Sequence, residues 1–201
     1  MSILIKNASI LSFDNGGELS CFEGDIFVKG DIIENVGREL NVEADVVIDG
    51  KDKAAVPGFV NAHTHAAMTL FRGYADDMSL DIWLNEKIWP VEAKLTPEDV
   101  YWGVKLAVLE MIKGGITAYG DMYFFMEEEA EAVKEAGIRA SLSVGLIAVS
   151  GDPSKKLKEA ENFVARWNGE AEGRITAMFG PHAPYPCPPD FLKEVVSAAE
   201  Q

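Results

Sequence analysis

Residues 54–65 read AAVPGFVNAHTH, an apolar run that passes through Pro57-Gly58 and ends in two histidines. Three later apolar runs have a similar strand length, and a stretch with helical character follows each of them. These runs are 116–121, 139–147 and 174–180. Apolar strands that alternate with helices are typical of βαβ units around a parallel sheet. The sequence therefore predicts an α/β fold whose first parallel strand covers residues 54–62.

The helices between these runs have recognisable ends. Thr96 offers a capping hydroxyl and Pro97 suits the first helical position, while Gly114-Gly115 ends the apolar stripe that follows. Glycine and asparagine mark the ends of two more helices. The further helices are predicted at 126–136, at 153–167 and from about 189 onward.

Residues 1–55 have a different pattern from the rest of the chain. β-Branched residues alternate with polar ones, turns are indicated at Gly30-Asp31 and Asp49-Gly50, and no helical period is present. We therefore predict a small N-terminal β-rich, sandwich-like domain. Residues 56–201 would form the first four units of a TIM-type (β/α)8 barrel, whose usual size is about 250 residues. On this interpretation the sequence ends at the barrel's midpoint.

The composition restricts the possible classes of protein. The chain has 201 residues, 48% hydrophobic and 25% charged, which is enough for a packed core. Its net charge of -15 argues against nucleic acid as a partner. No long apolar stretch or signal peptide is present, so a cytoplasmic protein without a membrane partner is expected. Cys21 and Cys187 show no pattern of disulfides or of a cysteine zinc site.

His63 and His65 carry the strongest chemical signal. Side chains two apart on a strand project from the same face, so both imidazoles would meet at the strand's carboxyl end. Imidazole is a common zinc ligand, although nickel, iron or manganese could occupy such a pocket. Two histidines in a loop can also be solvent-facing or merely hydrogen-bonded. The buried strand before them favours a site for one divalent metal ion.

The third histidine, His182, follows the fourth apolar run in the segment FGPHAPY, at the same carboxyl-end rim. It could be a third metal ligand, a hydrogen-bond partner of the substrate or a residue that fixes a proline-rich loop. Asp121, at the end of the second run, points into the mouth of the barrel or caps the next helix. The sequence leaves these alternatives open.

Two other segments also allow an ordinary structural interpretation. Residues 70–86 form a long insertion that could close over a ligand, although simple packing of Trp83 and Trp89 explains it equally well. Residues 127–131 form an acidic run in the first turns of a helix. Acids there favour the helix dipole and solvation, so a solvent-exposed face is expected.

Several segments together resemble the amidohydrolase superfamily. They are PGFVNAHTHAAMTLFRGYADDMSLDIWL, WPVEAKLT, GGITAYGDMY and GPHAPY. The likeness covers nearly all of the chain and is strongest to the 5-methylthioadenosine/S-adenosylhomocysteine deaminases and the related chlorohydrolase-type enzymes. It implies a zinc-dependent hydrolytic deaminase of adenosine-like nucleosides, of which this chain is an N-terminal portion.

The resemblance also implies roles for individual residues. His63 and His65 would bind the catalytic zinc, Glu92 the ribose hydroxyls, and His182 the bound nucleoside. The family's remaining metal ligands and its acid and base residues would lie beyond Gln201. No catalytic residue is therefore assigned within the chain, and this portion alone is expected to be inactive.

One departure from the family concerns the choice of substrate. Val144 stands where homocysteine-accepting relatives have an arginine that grips the amino-acid carboxylate. Lys155 or Lys156 could offer a cation, but lysine lacks the bidentate fork of arginine. The uncharged methylthio nucleoside is therefore the expected substrate.

Two other functions compete with this one. The chain could belong to an amidohydrolase for another heterocycle, such as guanine or a triazine. It could also be a non-catalytic fragment that associates with a partner chain through its open sheet, because exposed strand edges invite pairing. The expected partners are a small nucleoside and either further copies of the chain or a complementing C-terminal half.

Overall fold

The computed structural model of the chain describes residues 1–13, 17–148 and 151–201. These residues form two compact units, Met1–Gly58 and Phe59–Gln201. Among the helices in the described ranges, none combines the length and apolar composition needed to cross a membrane.

The first unit is a mixed β-sheet built around one long strand. Its strands are β1 (Ser2–Phe13), β2 (Leu19–Lys29), β3 (Ile32–Gly37), β4 (Val46–Asp49) and β5 (Ala54–Ala55). Strand β1 pairs antiparallel with β2 and parallel with both β4 and β5, and β2 pairs with β3. A small apolar cluster of Ala8, Ile10 and Ile26 is buried.

The strands of this unit do not form the two facing sheets of the predicted sandwich. The described strands of this unit, β1 to β5, all lie in one sheet. Strand β1 is long enough to pair with β4 along Ile3–Lys6 and with β5 along Ser9–Ile10, on either side of an irregularity between Ile5 and Ala8. One strand therefore organises the whole unit.

The second unit is a parallel four-stranded sheet with helices between its strands. The strands are β6 (Phe59–Thr64), β7 (Ile116–Tyr123), β8 (Arg139–Leu146) and β9 (Ile175–Pro181), side by side in chain order. The α-helices are α1 (Leu80–Ile82), α2 (Trp89–Glu92), α3 (Pro97–Lys113), α4 (Met126–Ala136), α5 (Pro153–Trp167), α6 (Glu170–Gly173) and α7 (Pro189–Ala199). A 3₁₀ helix covers Ala66–Phe71, and a π-helical segment covers Trp83–Ile88. The predicted helices at 126–136 and 153–167 are confirmed.

The first predicted parallel strand, residues 54–62, is divided between the two sheets. Ala54–Ala55 pairs with β1 in the first unit, whereas β6 begins at Phe59 and pairs with β7. Pro57 lies between the two segments, lacks a backbone N–H and restricts the residue before it. The prediction of one continuous strand was therefore wrong, because the Pro-Gly pair separates two strands.

The helices bury one face of the parallel sheet. Val100, Val104 and Val108 recur along α3 and are inaccessible to solvent, and Leu142 and Leu146 of β8 are equally buried. On the sheet, Val60, Ala118, Ser141, Thr176 and Met178 contribute to the lining of an open groove of about 370 Å³. Parallel sheets are normally covered on both faces, so this groove is an unusual feature of the unit.

The start of α3 provides a direct test of the local sequence argument. The Thr96 hydroxyl accepts a hydrogen bond from the Asp99 N–H at 3.2 Å, and the Asp99 carboxylate accepts one from the Thr96 N–H at 2.8 Å. We expect Thr96→Ala to lower the free energy of unfolding by about 1 kcal/mol, because a backbone donor loses its cap. Urea denaturation measures the change. Thr96→Ser should keep most of the stability, and equal losses in both variants would contradict the capping role.

Candidate active site

The imidazoles of His63 and His65 lie side by side at the carboxyl end of β6. Their ring centroids are 5.3 Å apart and their planes are inclined by 69°. His63 is exposed, and 30% of the His65 side chain is exposed. Two imidazoles bound to one zinc ion at about 2.0 Å would have ring centres roughly 5 Å apart. The spacing therefore fits a shared ion.

The pairing of β6 with β7 contains an extra residue beside this histidine pair. Asn61 pairs with Tyr119 and Thr64 with Asp121, so three steps along β6 match two steps along β7. Such a bulge interrupts the alternation of side chains and is common next to active sites. The direction of the two imidazoles therefore depends on the bulge as well as on their spacing in sequence.

The ring of His65 is held by its neighbour strand. Its Nδ1 lies 2.7 Å from the backbone carbonyl oxygen of Met122, so Nδ1 carries the proton and donates it. This tautomer leaves Nε2 as a free acceptor or ligand. The carboxylate of Asp121, with Oδ1 at 3.7 Å from Nδ1, raises the pKa of His65, whereas partial burial opposes that shift.

Asp121 is buried, and its carboxylate binds backbone N–H groups that follow β6 and end β7. Its Oδ2 accepts a hydrogen bond from the Ala66 N–H at 2.6 Å, and its Oδ1 accepts one from the Met122 N–H at 2.6 Å. The following helix, α4, has Phe125 at its N-cap and no side-chain cap. Asp121 therefore joins the backbone after His65 to the backbone of β7, and it does not cap α4.

Glu92 reaches the same region through Tyr123. The Tyr123 hydroxyl donates a hydrogen bond to Oε1 of Glu92 at 2.7 Å. The Tyr123 ring lies 5.9 Å from the His65 ring, measured between centroids. Glu92 belongs to the helical insertion and Tyr123 to β7, so the fold connects the predicted substrate carboxylate to the predicted metal histidines.

His182 lies apart from this group. The His182 side chain is exposed, and its ring centroid lies 6.2 Å from that of Tyr185. The backbone N–H of His182 donates a hydrogen bond to the Leu146 carbonyl at 3.1 Å. In the described part of the chain, no recorded contact joins His182 to His63, His65 or Glu92. The backbone bond fixes the loop after β9, while the imidazole remains available to a ligand.

Sequence reasoning missed a buried carboxyl group behind the site. Glu129, in the acidic run at the start of α4, is fully buried, and its Oε1 accepts a hydrogen bond from the Tyr119 hydroxyl at 2.8 Å. The expectation of a solvated face was wrong for this residue, because that side of α4 packs on the sheet. Burial, assisted by the nearby Asp121 carboxylate, raises the pKa of Glu129 well above its usual range.

Comparison with known proteins identifies the family. The profile of the amidohydrolase family matches residues 54–201. The chain belongs to the amidohydrolase family. It is 54% identical over 200 residues to a protein of Dictyoglomus turgidum named 5-methylthioadenosine/S-adenosylhomocysteine deaminase, covering 99% of this chain and 46% of that relative.

Two further relatives agree with this assignment. A protein of Methanosarcina mazei named 5'-deoxyadenosine deaminase is 50% identical and is matched over 99% of this chain and 46% of its own length. The crystal structure of an adenosine deaminase from Xanthomonas campestris with bound zinc superposes with a TM-score of 0.89 at 32% identity, over 99% of this chain and 47% of that chain. The amidohydrolase chain thus spans slightly under half the length of these relatives.

The histidines of this amidohydrolase chain can be compared with the ligand set that a zinc ion requires. In the described ranges, no group of three or more His, Cys, Asp or Glu side chains is arranged to hold a metal ion. His63 and His65 supply two imidazoles at a suitable spacing, and the Met122 carbonyl fixes the tautomer of one of them. Structural and catalytic zinc sites use three or four protein ligands, so the pair fits a zinc ion as part of a larger ligand set.

The structure also locates the residues that the sequence connected with substrate choice. Val144 is buried in the amidohydrolase core, and Lys156 pairs with Glu159 at 2.9 Å on the surface of α5. Both cysteines are free: Cys21 is exposed, whereas the buried Cys187 donates its Sγ hydrogen to the Leu146 carbonyl at 3.1 Å.

Proposed function

We propose that the chain is the N-terminal part of a zinc-dependent deaminase that hydrolyses the amino group of adenosine-like nucleosides. The observation that carries this proposal is the link from His65 through Tyr123 to Glu92, which connects a carboxylate able to accept hydrogen bonds from hydroxyls with a pair of histidines able to bind a metal ion. The names of the relatives point to the same class of substrate. Adenosine-like nucleosides carry ribose hydroxyls at one end, which a carboxylate can bind, and a hydrolysable amino group at the other, which a metal-activated water can attack.

The residues of this chain would act by binding and orientation. A zinc ion between His63 and His65 would supply water whose pKa is lowered to about 7. Glu92 would accept hydrogen bonds from the ribose hydroxyls with its second oxygen, and His182 would contact the nucleoside from the rim after β9. The acid and base that move protons are assigned to the part of the relatives that this chain does not cover.

We also propose that the parallel sheet forms half of a (β/α)8 barrel. Phe59 and Val60 on the edge strand β6 are 61% and 67% exposed, and Met178 on β9 is 45% exposed. Bare edges and a bare face are unfavourable for a parallel sheet in isolation. A complementing C-terminal half would pair with both edges and cover the groove.

The substrate class is tested by ammonia release from a panel of compounds. The full-length protein that carries this sequence, loaded with zinc, should deaminate 5-methylthioadenosine, 5'-deoxyadenosine and adenosine. Guanine and a chlorinated triazine serve as the competing substrates. Turnover of guanine or the triazine without turnover of any nucleoside would contradict the proposal.

We expect 5-methylthioadenosine to exceed S-adenosylhomocysteine, added to this panel, in kcat/KM by about tenfold. One unmatched charged group on a substrate costs at least as much as a lost hydrogen bond to a charge, about 1.5 kcal/mol. Val144 offers no cation for the homocysteine carboxylate, Lys156 is already paired, and Lys155 lacks the bidentate fork of arginine. Steady-state kinetics with both substrates measures the ratio, and a preference for S-adenosylhomocysteine would refute the argument from Val144.

A further inference from the structure

We infer that Tyr123 is a positioning residue that fixes the Glu92 carboxylate and thereby sets selectivity for nucleosides with a pair of free ribose hydroxyls. The inference rests on the proposed function, because it concerns the same site. Neither the family resemblance nor the names of the relatives assigns a role to Tyr123. The contact that suggests it is the 2.7 Å hydrogen bond from the Tyr123 hydroxyl to Oε1 of Glu92.

The Glu92 carboxylate needs such an anchor because of its place in the fold. Glu92 is the last residue of the four-residue helix α2, and its side chain is partly exposed, so its carboxylate can take several orientations unless a partner fixes it. Among the ion pairs recorded for the described residues, none places a lysine or arginine on Glu92. The Tyr123 hydroxyl thus donates the hydrogen bond that orients this partly exposed carboxylate.

Tyr123 is itself rigidly placed. It is the last residue of β7 and only 5% exposed, and its ring lies 5.1 Å from that of Phe124 and 5.9 Å from that of His65. A phenolic hydroxyl keeps its proton at neutral pH, so the Tyr123 hydroxyl is the donor in the hydrogen bond to Glu92. A fixed donor on the strand therefore defines where the Glu92 carboxylate lies.

This arrangement determines what the second oxygen of Glu92 can recognise. An ionised carboxylate only accepts hydrogen bonds, and Oε1 is already occupied by Tyr123. Oε2 is then presented in one direction to hydroxyl donors of a ligand. Without the anchor the carboxylate would have to be ordered when the ligand binds, which weakens binding and raises KM. The chemical step involves other groups, so kcat should change little.

The test compares Tyr123→Phe with Tyr101→Phe in the full-length, zinc-loaded protein. Tyr101 makes a similar hydrogen bond of 2.6 Å to Glu135, between α3 and α4, and serves as the matched control. We expect Tyr123→Phe to raise KM for adenosine about tenfold, the effect of one hydrogen bond to a charged group, with kcat within about twofold. For 2',3'-dideoxyadenosine, KM, or Ki where turnover is slow, should change less than about twofold. Tyr101→Phe should leave KM and kcat unchanged for both nucleosides.

The outcomes separate this inference from the proposed function. An unchanged KM for adenosine, or an equal rise for both nucleosides, would overturn the positioning role while leaving the deaminase assignment intact. If the unaltered protein deaminates no nucleoside, the proposed function fails. In that case the crystal structure of Tyr123→Phe decides the positioning role: a displaced or disordered Glu92 carboxylate supports it, and an unmoved one overturns it.

Discussion

Replacing His65 with alanine is expected to lower kcat/KM of the full-length protein by at least about 1,000-fold and to release its zinc. Groups that merely support a metal ligand already contribute about 10- to 100-fold to affinity or activity, so loss of a ligand should cost more. The Met122 carbonyl holds the His65 ring in the tautomer that frees Nε2. Zinc content after gel filtration and steady-state kinetics measure both effects.

His182→Ala is the matched control for this experiment. It removes the third histidine of the chain, which makes no recorded contact with the other two among the described residues. We expect this variant to retain its zinc and to lose activity mainly through a higher KM. Full zinc content in His65→Ala, or loss of zinc in His182→Ala, would contradict the assignment of the ligands.

Replacing Glu129 with glutamine is expected to stabilise the protein at neutral pH. Burial raises the pKa of Glu129, so the carboxyl group is protonated in the folded state and ionised in the unfolded chain above about pH 4.5. The folded state then binds more protons, and stability falls as pH rises, by about 1.4 kcal/mol per pH unit while this difference lasts. Glutamine does not titrate, so it removes this loss of stability with rising pH, and its amide oxygen can still accept the hydrogen bond from the Tyr119 hydroxyl.

The prediction is checked by denaturation curves between pH 4 and pH 8. Near pH 4 the variant and the unaltered protein should have similar free energies of unfolding, and the advantage of Glu129→Gln should grow steadily above about pH 4.5. Glu131→Gln, at an exposed position on the same helix, should show no such slope. A variant that is less stable at every pH would show that Glu129 is ionised in the folded state.

Much of the second unit could be predicted because its local signals agree with its packing. The Thr96 cap and Pro97 mark the start of α3, and Gly137 ends α4 in a left-handed conformation. Short apolar runs between these helices became the parallel strands. The histidine pair could be found because it ends the apolar run that became β6. The expected burial of this strand was wrong, since β6 lies at the edge of the sheet and Phe59 and Val60 are exposed.

The remaining features depend on contacts between distant segments. Glu129 belongs to an acidic run that looks solvated in sequence, and only the packing of α4 against the sheet shows that it is buried beside Tyr119. The hydrogen bond of Tyr123 to Glu92 joins residues 31 apart. Periodicity and spacing carry no information on such pairs.

The pairing of the strands could likewise not be predicted from the sequence pattern. The bulge between Asn61 and Thr64 is a property of the register between β6 and β7. The division at Pro57 could have been foreseen, because proline restricts the chain on both sides. The partner of Ala54–Ala55 could not, since it lies in β1 at the start of the chain.

The imidazoles of His63 and His65 are expected to bind one zinc ion together. Diffraction from zinc-soaked crystals of the full-length protein, recorded on both sides of the zinc absorption edge, tests it most directly. The account predicts a single anomalous peak about 2.0 to 2.1 Å from Nε2 of His65 and from a ring nitrogen of His63. A peak at His182 alone, or no peak beside His63 and His65 in zinc-saturated crystals, would contradict it.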